Sequence, residues 1–264
     1  MEYKSVVGGH QAMEAKTLDL DKNTAHQTNG DFWDTIGSDV LGVTALPNYG
    51  AFISEETVQL LEDVQCKKIL EIGCGNGRSL KYLAEKKAAE LWGIDLSSEQ
   101  IKRTQDYLTS LEIKANLICS PMEEDCGVPK EYFDFVYAIY ALGWTTDLDK
   151  TIQQIHSYLK KDGTFIFSWS HPIHKCVSIE KEKLIFNNSY FDESWYSTLI
   201  NDKEIMLSNR KLSTYINALA NHGFMIEKLI EENDEAMLSK KSENSFEKKA
   251  KMLPVTFIIK ARKL

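Results

Sequence analysis

The chain has 264 residues, enough for one large or two small domains, and 43% are apolar, enough to bury a substantial core. A formal net charge of −8 and a sequence pI near 5.4 offer no general attraction to nucleic acid, and no nucleic-acid partner is expected. No apolar run reaches 18 residues, and Met1-Glu2-Tyr3-Lys4-Ser5 lacks a leader's apolar core, so the expectation is a cytoplasmic protein with no membrane partner.

Residues 1–30 are polar and without clear period; they either stay disordered or order as a lid over a ligand. Phe32-Trp33-Asp34 and Leu46-Pro47-Asn48-Tyr49-Gly50 place bulky aromatics just ahead of the first strand. Trp33 and Tyr49 either cover a core edge or roof a site. We divide the chain into an N-terminal segment, 1–53, and a main domain, 54–264. Ser54-Glu55-Glu56 opens a helix with a capping hydroxyl and acids in its first turn, its apolar face being Val58, Leu61 and Val64. A strand at 67–72, a helix at 79–87 and a strand at 90–95 follow. Ser97 with Gln100 is a capping-box pattern for the helix carrying Ile101 and Leu108. Residues 115–119 read as a third strand, and 133–140 as a central parallel strand, being nearly continuously apolar. Ile152, Ile155 and Leu159 give helical spacing over 147–160, ended by Asp162-Gly163, and 164–169 is the fifth strand.

The alternation breaks after Ser170. Residues 171–210 hold His171, His174, Tyr190, Trp195 and Tyr196 but too little apolar content for a core of their own, and are expected to form a cap insertion. A helix at 212–222 and a strand at 224–231 resume the pattern. The charged stretch 233–252 is expected to lack fixed structure. Residues 255–261 supply a last strand with no crossover helix before it, hence an antiparallel edge strand at the C-terminus. The fold class is therefore α/β: a doubly wound, mostly parallel seven-stranded sheet, with ligands bound beyond the carboxyl ends of its strands.

The chemistry concentrates at Glu71-Ile72-Gly73-Cys74-Gly75-Asn76-Gly77-Arg78. Glycines tolerate positive φ and let a ligand press on bare backbone. They read G-x-G-x-G, and Arg78 stands where a dinucleotide fingerprint wants a third small residue. Glu71 puts a carboxylate in a strand covered on both faces, costly unless a cation pairs with it. Asp95, 22 residues after Gly73, lies at about the spacing from which an acid reaches ribose hydroxyls.

Glu71–Gly77, Gly93-Ile94-Asp95-Leu96-Ser97 and Phe133-Asp134-Phe135-Val136-Tyr137, in that order, resemble the class I S-adenosylmethionine-dependent methyltransferases over roughly residues 50–170. The resemblance implies a Rossmann-like methyltransferase fold and S-adenosylmethionine as cofactor. Gly73, Cys74, Gly75 and Gly77 would line its amino-acid end, Asp95 and Leu96 its ribose, and Met122 and Glu123 its adenine. Family members often carry an adenine-binding acid where this chain has Pro121. Ala138 would sit by the reactive sulfur, with Tyr49 in the segment that roofs the site.

The acceptor would face Trp33, Tyr140, Trp144, His171, Tyr190, Trp195 and Arg210. His171 follows a strand end and could serve as general base, or merely hydrogen-bond its own loop. Arg210 is either a carboxylate ligand or a surface charge. His171, His174 and Cys176 lack a fourth ligand, so no metal is expected. Five scattered cysteines (Cys66, Cys74, Cys119, Cys126, Cys176) form no disulfide framework. The leading expectation is methyl transfer to a small molecule. A non-catalytic S-adenosylmethionine-binding protein and an NAD-dependent dehydrogenase, the latter opposed by Arg78, are the alternatives.

Overall fold

A computed structural model describes residues 16–18, 21–37, 44–61, 63–238 and 244–264. In chain order the elements begin with β1 (Lys16–Leu18), α1 (Lys22–Thr35) and α2 (Glu55–Val58), then β2 (Lys68–Ile72), α3 (Arg78–Glu85), β3 (Glu90–Asp95), α4 (Ser98–Ser110) and β4 (Asn116–Cys119). Next come β5 (Phe133–Ile139), α5 (Leu148–Tyr158) and β6 (Leu159–Ser170). The region after β6 holds α6 (Pro172–Cys176) and two hairpins, β7 (Val177–Glu180) with β8 (Lys183–Phe186) and β9 (Trp195–Ile200) with β10 (Lys203–Ser208). The chain closes with α7 (Leu212–Asn221), β11 (Phe224–Ile230), α8 (Glu235–Leu238), α9 (Ser245–Ala250) and β12 (Thr256–Lys263).

Seven strands form one sheet in the order β11-β12-β6-β5-β2-β3-β4. β4, β3, β2, β5 and β6 run parallel, and β12 is antiparallel to both of its neighbours. The expected antiparallel C-terminal pair is present; within it β11 is outermost and β12 lies between β11 and β6. The period-2 alternation of β5 explains why the sheet is covered twice. Val136 and Ala138 join Leu70, Ile72, Phe165, Phe167 and Phe257 on one face, and Phe135, Tyr137 and Ile139 join Ile69, Ile166 and Ile258 on the other. Each such large apolar side chain contributes ~1.5–3 kcal/mol on burial.

Several expectations differ from the structure, among them the helix expected over 147–160, which ends at Tyr158 because Leu159, Asp162 and Gly163 already belong to β6. The helix opened by Ser54 stops at Val58, because Glu55 turns inward and accepts hydrogen bonds from the Tyr49 hydroxyl (2.7 Å) and the N–H groups of Leu60 (3.1 Å) and Leu61 (2.8 Å). Those bonds need the chain to reverse at Gln59, which takes the left-handed conformation (φ 47°). The Ser97 capping box is half made: Ser97 Oγ accepts from Gln100 N–H, but the Gln100 side chain donates elsewhere. The stretch 233–252 contains α8 and α9, the latter capped by Asn244 and tied down where Lys249 Nζ donates to the carbonyls of His174 (3.1 Å) and Val177 (2.6 Å). Residues 239–243 within that stretch lie outside the described residues.

The N-terminal segment and the insertion meet. β1 adds to the β9–β10 hairpin as a third strand, and Asn29 of α1 makes a reciprocal pair of 2.9 Å hydrogen bonds with the backbone of Met206. Of the expected lid, residues 22–35 form α1; residues 1–15 lie outside the described residues.

Candidate active site

A cleft opens at the carboxyl ends of β2, β3 and β5, where ligands of open α/β sheets bind. Its floor is the turn after β2. Gly73 (φ 72°) and Gly77 (φ 75°) hold left-handed backbone, and a Cβ on Gly73 would stand 2.4 Å from the Cβ of Ala141. The turn's donors are already used. Gly73 and Cys74 N–H both donate to the Ile94 carbonyl (2.7 and 3.0 Å), and Gly75 N–H donates to Asp95 Oδ2 (2.8 Å). A pyrophosphate cradle needs free N–H groups; this bend presents bare backbone instead. Asn76 Oδ1 accepts from Arg78 N–H at the start of α3 (3.4 Å).

Two carboxylates define the polar half. Asp95 ends β3 and also accepts from Ser97 N–H (2.9 Å); burial pushes its carboxyl upward against the pull of these two amides. Glu71 is buried in β2, and that burial raises its carboxyl to about 8, opposed by a hydrogen bond from Ser79 and aided by Asp95. Glu71 Oε2 has no hydrogen-bond partner although its residue lines the cleft. A buried acid with a bare oxygen at the cleft wall is what a cationic ligand would complete.

The opposite half is apolar. Trp33 and Trp144 meet edge-to-face at 5.0 Å, and Trp144 continues to Trp169 (6.2 Å), which packs on Tyr140 (5.5 Å). Burial lifts the Tyr140 phenol to about 12, and its hydroxyl pairs with Thr256 Oγ1, so it stays neutral. Helix α1 closes this side with one face. His26, Asn29 and Trp33, spaced by three and four residues, all line the cleft. The C-terminal end of α1 is stitched to α4: Asp34 accepts from Ser97 Oγ and Glu99 N–H, and Gln100 Nε2 donates to the Trp33 and Ile36 carbonyls (both 2.9 Å).

Of the residues singled out from sequence, Trp33, Glu71, Gly73, Cys74, Gly75, Asp95, Leu96, Met122, Glu123, Tyr140 and Trp144 share this cleft. The others lie elsewhere. Gly77 heads α3; Ala138 is fully buried, on the face of β5 opposite the cleft-lining Ile139. Tyr49 is a core residue bonded to Glu55. His171 caps α6: its Nδ1 accepts from Ile173 N–H (3.1 Å) and its Nε2 meets Glu231 Oε1 (2.6 Å), so both ring nitrogens are taken. Arg210 donates to the carbonyls of Gly143 (3.2 Å) and Thr145 (2.6 Å), which spends its charge on the turn beneath Trp144. The Tyr190 hydroxyl accepts from Leu212 N–H, and Trp195 lies under Arg210. Among the described residues no group of His, Cys, Asp or Glu is arranged to hold a metal. The residues missed in the wall include His26, Asn29, Asn76 and Gln100. The helical spacing of His26, Asn29 and Trp33 was the available signal for the first two.

This strand order, with a glycine bend after the first parallel strand and an acid ending the next, defines a class I S-adenosylmethionine-dependent methyltransferase. The methyltransferase domain family model matches residues 48–228, and the chain belongs to that family. An uncharacterized protein of Haemophilus influenzae is 28% identical over 226 residues, covering 78% of this chain and 85% of that one. A malonyl-[acyl-carrier protein] O-methyltransferase of Priestia megaterium is 33% identical over 136 residues, and there the match spans only about half of each protein (49% and 48%). A solved structure of an S-adenosylmethionine-dependent methyltransferase from Listeria monocytogenes is 25% identical, with a TM-score of 0.65 over 80% of this chain and 97% of that one. At 13% identity, a geranyl diphosphate C-methyltransferase of Streptomyces coelicolor shares the fold alone (TM-score 0.62, covering 93% and 100%). The enzyme uses S-adenosylmethionine, and the orphaned Glu71 oxygen beside a bare backbone bend fits that cation.

Proposed function

We propose that the enzyme methylates a small, flat, uncharged acceptor held against Trp33, Tyr140 and Trp144. The observation that carries this reading is that the aromatic wall and the carboxylate pair Glu71 and Asp95 line one and the same cleft. In this reading Glu71 meets the ammonium of the cofactor's methionine tail, pressed on Gly73, Cys74 and Gly75, while Asp95 accepts from the ribose hydroxyls as charge-assisted bonds. Leu96 and Met122 flank the adenine, Pro121 supplying no acid there. The cofactor supplies an electrophilic methyl, whose carbon bonds the acceptor's lone pair as the C–S pair returns to sulfur. The protein's part is to align the acceptor and keep water out, and positioning of that kind is worth ~7–11 kcal/mol.

Charge supports an uncharged acceptor. The charged groups in the described wall are Glu71, Asp95 and Glu123, with no Lys or Arg among them, and Arg210 is bound to backbone carbonyls. A diphosphate or carboxylate would enter without a counter-ion. The α1 face and the 171–210 insertion act as the cap over this acceptor. The free thiols favour a reducing, cytoplasmic setting. No helix among the described residues is long and apolar enough to cross a membrane. The test is calorimetric titration with S-adenosylmethionine, followed by a screen of fractionated metabolite extract for S-adenosylhomocysteine release and a one-methyl mass gain. Release confined to anionic metabolites, or to protein or RNA, would sink the reading.

A further inference from the structure

The mechanism above leaves one linked set of groups unused: His26 of α1 and Glu123 of the loop after β4, which line the cleft, and buried Thr146 beyond β5, two residues after Trp144. His26 Nε2 lies 2.9 Å from Glu123 Oε1 and 3.2 Å from Thr146 Oγ1. Thr146 also donates to Glu123, through its N–H (3.0 Å) and its hydroxyl. These bonds fix the imidazole. A carboxylate oxygen accepts only, and the Thr146 hydroxyl proton is already given to it, so both neighbours of Nε2 require a donor. Nε2 therefore carries a proton, and in the neutral imidazole that leaves the lone pair on Nδ1. Among the described residues Nδ1 has no hydrogen-bond partner. Burial would push the Glu123 carboxyl up, but the bonds from His26 and Thr146 outweigh it and hold it below the ordinary range, so it stays ionised.

We propose that His26 is the general base for the acceptor, with Glu123 and Thr146 holding its tautomer, in the place where the sequence pointed to His171. This rests on the small-molecule reading given above. The arrangement follows the logic by which an ionised carboxylate on one imidazole nitrogen frees the other to take a proton. The acceptor's X–H proton passes to His26 Nδ1, its electron pair stays on X to form the new bond to carbon, and the imidazolium facing Glu123 returns the proton to solvent after transfer. Because α1 carries the base, the enzyme is competent only with the N-terminal helix docked. That ties proton removal to closure of the acceptor side.

A latch that merely holds α1 down would use the same bonds, so the test separates the two. Two-bond proton–nitrogen NMR correlations of the full chain with S-adenosylhomocysteine bound at neutral pH should show His26 protonated at Nε2 and bare at Nδ1. A proton on Nδ1 overturns the proposal whether or not any acceptor is in hand. His26→Gln keeps an N–H to give to Glu123 and so keeps a latch, but has no base. It should bind S-adenosylhomocysteine as wild type does in calorimetry. Against a panel of neutral phenols and alcohols, its turnover should fall roughly 100- to 10,000-fold, as far as that of His26→Ala. If His26→Gln turns over like wild type while His26→Ala fails, the residue is a latch and the proposal is wrong. If wild type itself transfers no methyl to any small molecule, the acceptor reading fails instead, and the tautomer still decides whether a base is in place.

Discussion

Glu71 gives the sharpest prediction because its burial and its orphaned oxygen can be read by two independent measurements. Burial pushes its carboxyl up to about 8 in the folded apoprotein, against 4.5 as the ordinary value. Between those two pH values the folded chain holds a proton that the unfolded chain has released, so stability falls as pH rises. The slope is about 1.4 kcal/mol per pH unit, and over the interval of about 3.5 units it sums to ~5 kcal/mol by pH 8, flattening above. Glu71→Gln keeps the neutral shape and removes the titration. Urea denaturation of both proteins at pH 5.5, 6.5 and 7.5 should therefore show the variant gaining on wild type by about 1.4 kcal/mol per unit. Parallel stability curves would refute the account of Glu71 as a buried, unpaired acid. Binding of a cationic ligand reverses the preference, since the ionised carboxylate then has its partner. At pH 7 a group titrating at about 8 is roughly nine-tenths protonated, so S-adenosylmethionine should release close to one proton on binding wild type and none on binding Glu71→Gln. Calorimetry in two buffers of different ionisation enthalpy reads that number directly.

Gly73→Ala combines left-handed backbone with a 2.4 Å approach to Ala141. It should cost about 2–5 kcal/mol of stability in urea and lose measurable cofactor binding. In Asp95→Asn, one of the amides now served by the two carboxylate oxygens would face an NH2 group. The S-adenosylmethionine Kd should rise roughly 10- to 100-fold, corresponding to about 1.5–3 kcal/mol for a charge-assisted contact, with the fold retained by circular dichroism. His171→Ala removes the α6 cap and the contact to Glu231, and should lower stability by ~1–3 kcal/mol while leaving cofactor affinity unchanged in calorimetry. A large loss of affinity there would mean that His171 reaches the cofactor.

The parallel sheet, and the meeting of Glu71, Gly73 and Asp95 in one cleft, were legible because their signals are local. β5 is an apolar run that only a doubly covered strand accommodates, and Gly73, Glu71 and Asp95 sit at fixed offsets from strand ends. What escaped depended on contacts between distant segments. Nothing near Ser54 in the sequence shows that Glu55 will fold inward onto Tyr49 and end the helix at Val58. Arg210 looks free until the turn carrying Gly143 and Thr145 is brought beneath it, 65 to 67 positions away in the chain. His171 drew attention because it follows a strand end. The Pro172 turn then hands it Ile173 N–H, and β11 hands it Glu231, and together these consume the ring.

Helix α1 shows why the acceptor half is the harder one to read. Its stretch is polar enough to pass for a disordered tail, and it carries only two buried large or small apolar anchors, Ala25 and Phe32. Besides the packing of Phe32 and Trp33 on Trp144, it is held by a series of polar bonds to other elements: Lys22 to Asp147, His26 to Glu123, Asn29 to Met206 and Asp34 to Ser97. Few buried apolar contacts and many polar ones are the marks of an element that opens at less than the global unfolding cost. An acceptor in a cleft walled by α1 needs such an element, since a helix fixed by a large apolar face would block entry and product release. The same economy hides the site from sequence: residues chosen to let a helix undock are, by composition, those of a segment that never docks. On the proposed reading, specificity for the acceptor would reside in the least core-like part of the chain, and cofactor binding in the most regular part.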